Sequence, residues 1–484
     1  MLFNSLEFLA FYSLVVAVYF ALPHRGRLWL LLLASYYFYA SWKVEYALLI
    51  LTSTLVDYAA GLAMGAAGDR RRRRAWLLLS LTVNLGLLFV FKYFNFVAGS
   101  LNELFALYGA GQHIRSLDLL LPVGISFYTF QTLSYTIDVY RGDRTPERSL
   151  LSFALYVSFF PQLVAGPIER STRLLPQFLK PTEFDWSAVE KGFTLILWGF
   201  FLKLVIADQL APYIDRIYGA PQAFSGGHLL LATYLFAFQI FGDFAGYSAI
   251  AIGTARILGY QLRDNFRRPY FSANLREFWT RWHISLSTWF RDYLYIPLGG
   301  SRRGELRCWM NLTVVFAISG VWHGANWTFI VWGLIHGVGV VLTRGWDRWR
   351  NSRSPGGPFG RGVKIFLTFH LVVLAWIFFR ADSLSRGWYI LTHLAELPEF
   401  SADYLASLIL PFTGDYSAAA AFVTVVVFIG MMEAVHVIQE TRYPAVMERW
   451  QQSGVFRGLC LIVLLNIILF FGRFDSQAFI YFQF

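Results

Sequence analysis

The chain has 484 residues, 56% of them hydrophobic and 15% charged, where soluble domains carry roughly 25% charged residues. So much apolar surface cannot be hidden in a soluble core, and the composition excludes a water-soluble enzyme in favour of a polytopic membrane protein. The net charge of +11 would suit a nucleic-acid binder, but the arginines cluster in short loops between apolar runs. That is the positive-inside pattern, so nucleic acid is set aside as a partner. Cys308 and Cys460 lie too far apart in sequence to mark a metal motif or a disulfide framework, and both read as small hydrophobes.

A spanning helix needs about 20 apolar residues. Segments 6–22, 28–42 and 47–66 are the first candidates. The first lacks a basic leader region and a convincing cleavage site, so it reads as a retained span, not a signal peptide. His24, Arg25 and Arg27 follow it, and Asp69 with Arg70 through Arg74 closes the third. With both loops cytosolic, the N-terminus lies outside. Segment 75–97 is the fourth span, and the more polar 98–118 reads as an outer loop. Segment 119–139 returns inward carrying Pro122, Gly124, Ser126, Gln131 and Asp138, too polar to face lipid all round. Segment 150–168 is broken by Pro161, Gly166 and Pro167 and is expected to be an interrupted or re-entrant helix.

Segment 193–210 carries Lys203 and Asp208. Segment 228–258 is apolar but interrupted by Phe241-Gly242-Asp243-Phe244-Ala245-Gly246-Tyr247-Ser248. An aspartate at that depth is costly unless paired; it reads as a helix-packing motif with a satisfied carboxylate, or as the lining of a substrate tunnel. After a basic stretch at 261–269, Asn274 with Glu277 forms a pattern close to a capping box. Leu275, Phe278, Trp279, Trp282, Leu286, Trp289, Phe290 and Tyr293 then make one stripe, predicting an amphipathic helix of about 30 Å at the cytosolic interface. Segments 308–320 and 325–342 meet at Trp322-His323-Gly324, which places His323 at depth near a break or hairpin. Segment 344–364 is a basic internal linker; 365–379, 418–436 and 456–471 are late spans; 401–416 has no clear assignment.

Of nine histidines, His283, His323 and His336 stand out. Histidine is the natural base near neutral pH, and a low-dielectric site keeps its imidazole neutral, as a base requires. Gly320 and Gly324 flank His323 and let a backbone or a thin substrate come close; a plain GxxxG helix contact explains the spacing equally well. His336 is thirteen residues on, about 20 Å along a helix, and cannot join His323 unless the helix bends. No P-loop, GxSxG, HExxH or cysteine–histidine metal spacing competes, and no third ligand suggests a metal beside His283 and His323.

Several runs together carry a family resemblance: Leu121-Pro122-Val123-Gly124-Ile125-Ser126-Phe127-Tyr128, Tyr140-Arg141-Gly142-Asp143, Ala165-Gly166-Pro167, Asp243 through Ser248, Glu277 through Gly300, Gly320 through Asn326 and the closing Phe479 to Phe484. On them the chain resembles the membrane-bound O-acyltransferase (MBOAT) family, and is most similar to the bacterial branch typified by the integral membrane component of alginate O-acetylation. The resemblance implies an all-α polytopic fold around a central tunnel, as one domain over 1–484. Its parts would be N-terminal spans at 1–148, a catalytic core at 149–343 and C-terminal spans at 365–484. It also implies a bacterial inner-membrane location, and a catalytic histidine that falls on His323, with the second family position on His283. Asp243, Asn326, Trp282 and Trp322 are weaker candidates for lining the tunnel.

The resemblance further implies cytosolic acetyl-coenzyme A as acyl donor, no bound cofactor, and extracytoplasmic acetyltransferase partners that pass the group to a polysaccharide. His323 would act as general base on an acceptor hydroxyl, with His283 orienting the thioester or stabilising the developing oxyanion. Competing readings are acyl transfer from a carrier protein, as in D-alanylation of teichoic acids, transport of a lipid-linked saccharide, and a scaffold for polysaccharide-modifying partners.

Overall fold

The computed structural model describes residues 1–109, 111–164, 166–349, 357–397, 401–412, 417–474 and 479–480. Every regular element among them is helical. In chain order these are α1 (Leu6–Ala21), α2 (His24–Ala40), α3 (Val44–Ala66), α4 (Arg70–Leu88) and α5 (Phe94–Leu107), the last two joined by a π turn. Next come α6 (Ile125–Arg141), α7 (Leu150–Ser158), α8 (Phe160–Leu163), α9 (Ser171–Phe178) and α10 (Trp186–Phe200). A π turn at Phe201–Ala207 leads into α11 (Asp208–Gly219), followed by α12 (Gly226–Ile257), α13 (Leu275–Arg281), α14 (Ile284–Phe290), α15 (Glu305–His323) and α16 (Trp327–Trp349). The chain closes with α17 (Pro358–Arg380), α18 (Leu384–His393), α19 (Ala402–Ile409), α20 (Ala418–Gln452) and α21 (Gly454–Phe471).

Eight helical stretches among the described residues are long and apolar enough to cross a membrane: Val44–Ala66, Arg70–Leu107, Trp186–Gly219, Gly226–Ile257, Trp327–Arg348, Pro358–Arg380, Ala418–Thr441 and Gly454–Phe471. The protein is therefore an all-α, multi-pass membrane protein. Outward-facing Leu459, Ile462, Val463 and Phe470 on α21 are what a lipid-facing helix requires.

The chain divides into two compact units, one of Met1–Phe193 with Ala251–Arg263, the other of Thr194–Ile250 with Asp264–Gln483. In the first, the polar segment after Pro122 is buried as expected: α6 is shielded along nearly its whole length. Gly124, at φ +77°, starts it, and a Cβ there would sit 2.8 Å from the Leu163 carbonyl oxygen. The helix read as interrupted is interrupted, at Phe159 between α7 and α8; Ala165 of the Ala165-Gly166-Pro167 run lies outside the described residues. The first unit also holds a polar cluster that hydropathy gave no sign of. Asp57 is fully buried, accepts from Ser80 Oγ at 2.5 Å, and has both oxygens 3.0 Å from Asn84 Nδ2. Ser53 Oγ in turn donates to Asn84 Oδ1.

In the second unit the structure corrects two expectations. The glycine-flanked aspartate does not interrupt its helix, because α12 runs unbroken through Asp243. The glycines serve close packing instead: a Cβ on Gly199 would lie 2.6 Å from Gly246 O, and one on Gly242 would lie 2.9 Å from Leu202 O. Conversely, the stripe from Leu275 to Tyr293 is not one helix. It breaks between α13 and α14, at Trp282 and His283. Elsewhere the helix ending in α5 reaches ten residues past the expected 97, and 401–416 yields α19 and a short 3-10 turn, with 413–416 outside the described residues. Residues 350–356 of the basic linker also lie outside them.

Candidate active site

The break before α14 sets His283. Asn274 Oδ1 accepts from Glu277 N at 2.8 Å and Glu277 Oε2 accepts from Ala273 N at 2.9 Å, so α13 starts with reciprocal side-chain capping. Seven residues later Trp282 is extended and His283 takes φ +42°, ψ +55°. A non-glycine residue in that region costs about 1–3 kcal/mol and persists only where its surroundings over-determine it. Asn265 supplies the constraint: its carbonyl accepts from Ile284 N at 2.9 Å, its Oδ1 from Ser285 N at 3.3 Å, and its Nδ2 donates to Ser248 Oγ. Asn265 thus caps α14 from the basic stretch, a role that its sequence neighbourhood of charged residues does not advertise.

His323 is the last residue of α15, and the chain turns at Gly324-Ala325-Asn326 into α16. The expected hairpin is present. The flanking glycines are spent on it: a Cβ on Gly320 would lie 2.2 Å from Phe329 O, one on Gly324 2.1 Å from the Phe329 ring, and one on Gly333 2.3 Å from Phe316 O. Close helix contact therefore accounts for the GxxxG spacing.

The two elements bring the imidazoles together. The His283 and His323 ring centroids are 6.4 Å apart, both side chains are buried, and aromatic rings wall them in. Phe244 stands 4.6 Å from His283, with Trp322 at 6.0 Å. Trp322, Trp332 and Phe379 stand 5.0, 4.9 and 5.4 Å from His323. Burial pushes the His283 imidazole down from its ordinary value to about 3, so it is neutral at physiological pH. A neutral imidazole can take a proton at one nitrogen and donate one from the other.

The remaining predicted residues divide. Trp282 is fully buried beside Trp376, 5.0 Å between rings, and Trp322 touches both histidines. Asp243 is buried in an ion cluster: Lys203 Nζ lies 2.7 Å from Asp243 Oδ1 and 2.8 Å from Asp208 Oδ1, and Ile480 N donates to Asp243 Oδ2 at 2.6 Å. This is the satisfied carboxylate of the packing reading, and its partners Lys203 and Asp208 were visible in sequence only as two charges in a span. Phe244, next in the chain, carries the packing on to His283 and to Phe479; 481–484 of the closing motif lie outside the described residues. Asn326 stands apart from the rings: its Oδ1 accepts from Thr328 N at the start of α16, and its amide donates to Asp382 O.

His336 lies on α16 with the Trp332 ring between it and His323. It packs on Trp332, 5.0 Å between rings, the same ring that His323 meets, and Trp279 Nε1 donates to its Nδ1 at 3.3 Å. Trp279 also lines a cavity of about 330 Å³. Ser287 of α14, Ser319 one turn before His323, and Arg276, Arg291 and Arg344 share its wall. In the first unit, a cavity of about 570 Å³ is lined by charges of both signs, among them Lys180, Glu183, Asp185 and Arg256. No group of three histidine, cysteine, aspartate or glutamate side chains among the described residues could hold a metal ion.

Comparison with known proteins covers the same region. The model of MBOAT, the membrane-bound O-acyltransferase family, matches residues 147–379, which include all three histidines. The probable alginate O-acetylase AlgI of Pseudomonas aeruginosa is 42% identical, over 80% of this chain and 74% of its own. The peptidoglycan O-acetyltransferase of Helicobacter pylori is 34% identical, over 84% of this chain and 80% of its own. A teichoic acid D-alanyltransferase of Streptococcus thermophilus is 30% identical over 56% of this chain and 71% of its own. With a helical, multi-pass architecture and relatives matched over most of both chains, the protein belongs to the membrane-bound O-acyltransferase family and is an acyltransferase.

Proposed function

We propose that this acyltransferase takes acetyl from cytosolic acetyl-coenzyme A in the bacterial inner membrane and moves it across for O-acetylation of an extracytoplasmic polysaccharide, with extracytoplasmic acetyltransferase partners completing the transfer. The observation that carries the reading is the buried pair of imidazoles, 6.4 Å apart and walled by aromatic rings. In this reading His323 removes the proton of an acceptor hydroxyl as its oxygen attacks the thioester carbonyl carbon. The C–O bond forms, the C–S bond breaks, and the proton passes from His323 to the departing thiolate. His283, held neutral by burial, orients the thioester.

Two further observations support the donor and the acyl group. Arg276, Arg291 and Arg344 in the wall of the 330 Å³ cavity, paired with Asp347, Asp292 and Glu305, could exchange those partners for the phosphates of a coenzyme A thioester. Identity is higher to the alginate and peptidoglycan O-acetylating relatives, 42 and 34%, than to the D-alanyl relative at 30%, which favours acetyl over D-alanyl.

The test is acetyl release from labelled acetyl-coenzyme A by the purified protein in nanodiscs, beside His323→Ala and His283→Ala. Histidine-dependent thioester consumption is expected. No consumption, even with host membrane extract supplying partners and acceptor, would overturn the donor assignment.

A further inference from the structure

His336 is the third buried histidine of the ring cluster, and neither the family match nor the reading above gives it a task. Its hydrogen bonding fixes its proton. An indole nitrogen only donates, so the Trp279 Nε1–H directed at His336 Nδ1 requires a lone pair there. The ring is therefore neutral with its proton on Nε2. It is held in place by Phe278, whose ring is stacked on it at 6.1 Å and 8°, and by Trp279, edge-on at 5.1 Å. The close contact of α15 and α16 through Gly320, Gly333 and Gly337 leaves the backbone beneath it little room to shift.

Among the described residues that proton has no acceptor. His336 Nε2 is fully buried, and no described residue accepts a hydrogen bond from it. The same holds for Trp332 Nε1, on the ring that separates His336 from His323 at 5.0 and 4.9 Å. A buried donor without an acceptor is expensive, and where a native protein keeps one, a bound group, an ordered water or a catalytic role accounts for it. Two such donors, held by packing, with Trp332 against the proposed base and His336 against Trp332, are a preorganised place for an oxygen that gains negative charge.

We propose that His336 Nε2–H, with Trp332 Nε1–H beside it, receives the acyl carbonyl oxygen and stabilises the oxyanion formed when the acceptor hydroxyl attacks. His336 donates a hydrogen bond and neither gains nor loses a proton: the hydroxyl proton goes to His323, and the electron pair on the oxyanion returns to expel the thiolate. The inference rests on the reading of His323 as base.

The experiment compares His336→Phe, His336→Gln and His323→Ala, all in the full-length protein. Each is assayed on labelled acetyl-coenzyme A, and each also as ester-linked acyl on host polymer after complementation of a deletion strain, which needs no assumption about the donor. Phenylalanine keeps the stacking plane and loses both nitrogens; glutamine restores an N–H. The expected result is a loss of kcat of about 10²–10³-fold in His336→Phe with KM little changed, and substantial recovery in His336→Gln. Equal loss in the two variants, or a His336→Phe protein as active as the parent, would overturn the proposal. An active His323→Ala would instead sink the reading of the base, while the contrast between phenylalanine and glutamine at 336 still decides the donor role.

Discussion

The protein buries polar side chains in two contrasting ways. Around Asp57 in the first unit, donors and acceptors answer one another: Ser80 and Asn84 bind the carboxylate, and Ser53 binds Asn84. Around Trp332 in the second unit, tryptophans and phenylalanines surround imidazoles, and N–H groups of His336 and Trp332 have no acceptor among the described residues. A closed network of small polar groups joins helices where lipid offers no hydrogen bonds. The proposed oxyanion site would instead use an open pair of aromatic-walled donors, those of His336 and Trp332, for a substrate. Burial of a polar group is therefore uninformative until its partners have been counted.

This contrast can be broken experimentally. The largest effect is expected at His323: alanine should cost about 10²–10⁴-fold in acyl transfer while the purified protein keeps its yield and thermal midpoint. Activity within a fewfold of the parent would remove the functional half of the comparison. Lys203→Met should do the opposite, destabilising by about 3–5 kcal/mol because two buried carboxylates, Asp208 and Asp243, lose their shared cation. Adding Asp208→Asn and Asp243→Asn should restore much of the thermal midpoint in detergent, and failure of that rescue would mean that the triad does more than balance charge.

Asp57→Ala should cost about 1–3 kcal/mol by removing the carboxylate that Ser80 and Asn84 donate to. The kcat of the protein that remains folded should be unchanged; a drop in kcat at full stability would show that the closed network is not merely structural. The smallest effect is a pH dependence. The folded pKa of His283 is depressed to about 3 from an ordinary 6.5, so between these values the unfolded chain binds the extra proton. The stability conferred by keeping it neutral is complete above 6.5 and is lost as pH falls towards 3. From pH 7.5 to 6 the loss is about 0.8 kcal/mol. A His283→Phe variant should lack this slope in denaturation series at the two pH values.

Much of this could be read from the sequence, for a definite reason. Hydropathy and arginine placement report where apolar surface must be covered, and they located the spans and the hairpin at His323. They do not report backbone angles. The stripe from Leu275 to Tyr293 has helical periodicity on both sides of His283, so nothing in it reveals that one residue turns left-handed. The cause, Asn265, lies eighteen residues upstream in a stretch that reads as basic loop. Asp243 misled in the other direction: two glycines beside a charge look like a break, whereas here they admit a neighbouring backbone and Lys203 neutralises the charge. His336 lies thirteen residues beyond His323, and the two do not meet: the Trp332 ring, which no spacing rule singles out, stands between them.

The left-handed turn at His283 also limits which residues can drift into this position. At φ +42°, valine, isoleucine and threonine are opposed by their branched Cβ before their chemistry is considered, while asparagine, aspartate and histidine are the non-glycine residues that visit the region most readily. Those three all carry hydrogen-bonding atoms two bonds beyond Cβ. The backbone thus screens random substitution at residue 283 in favour of glycine and of short side chains that carry hydrogen-bonding atoms.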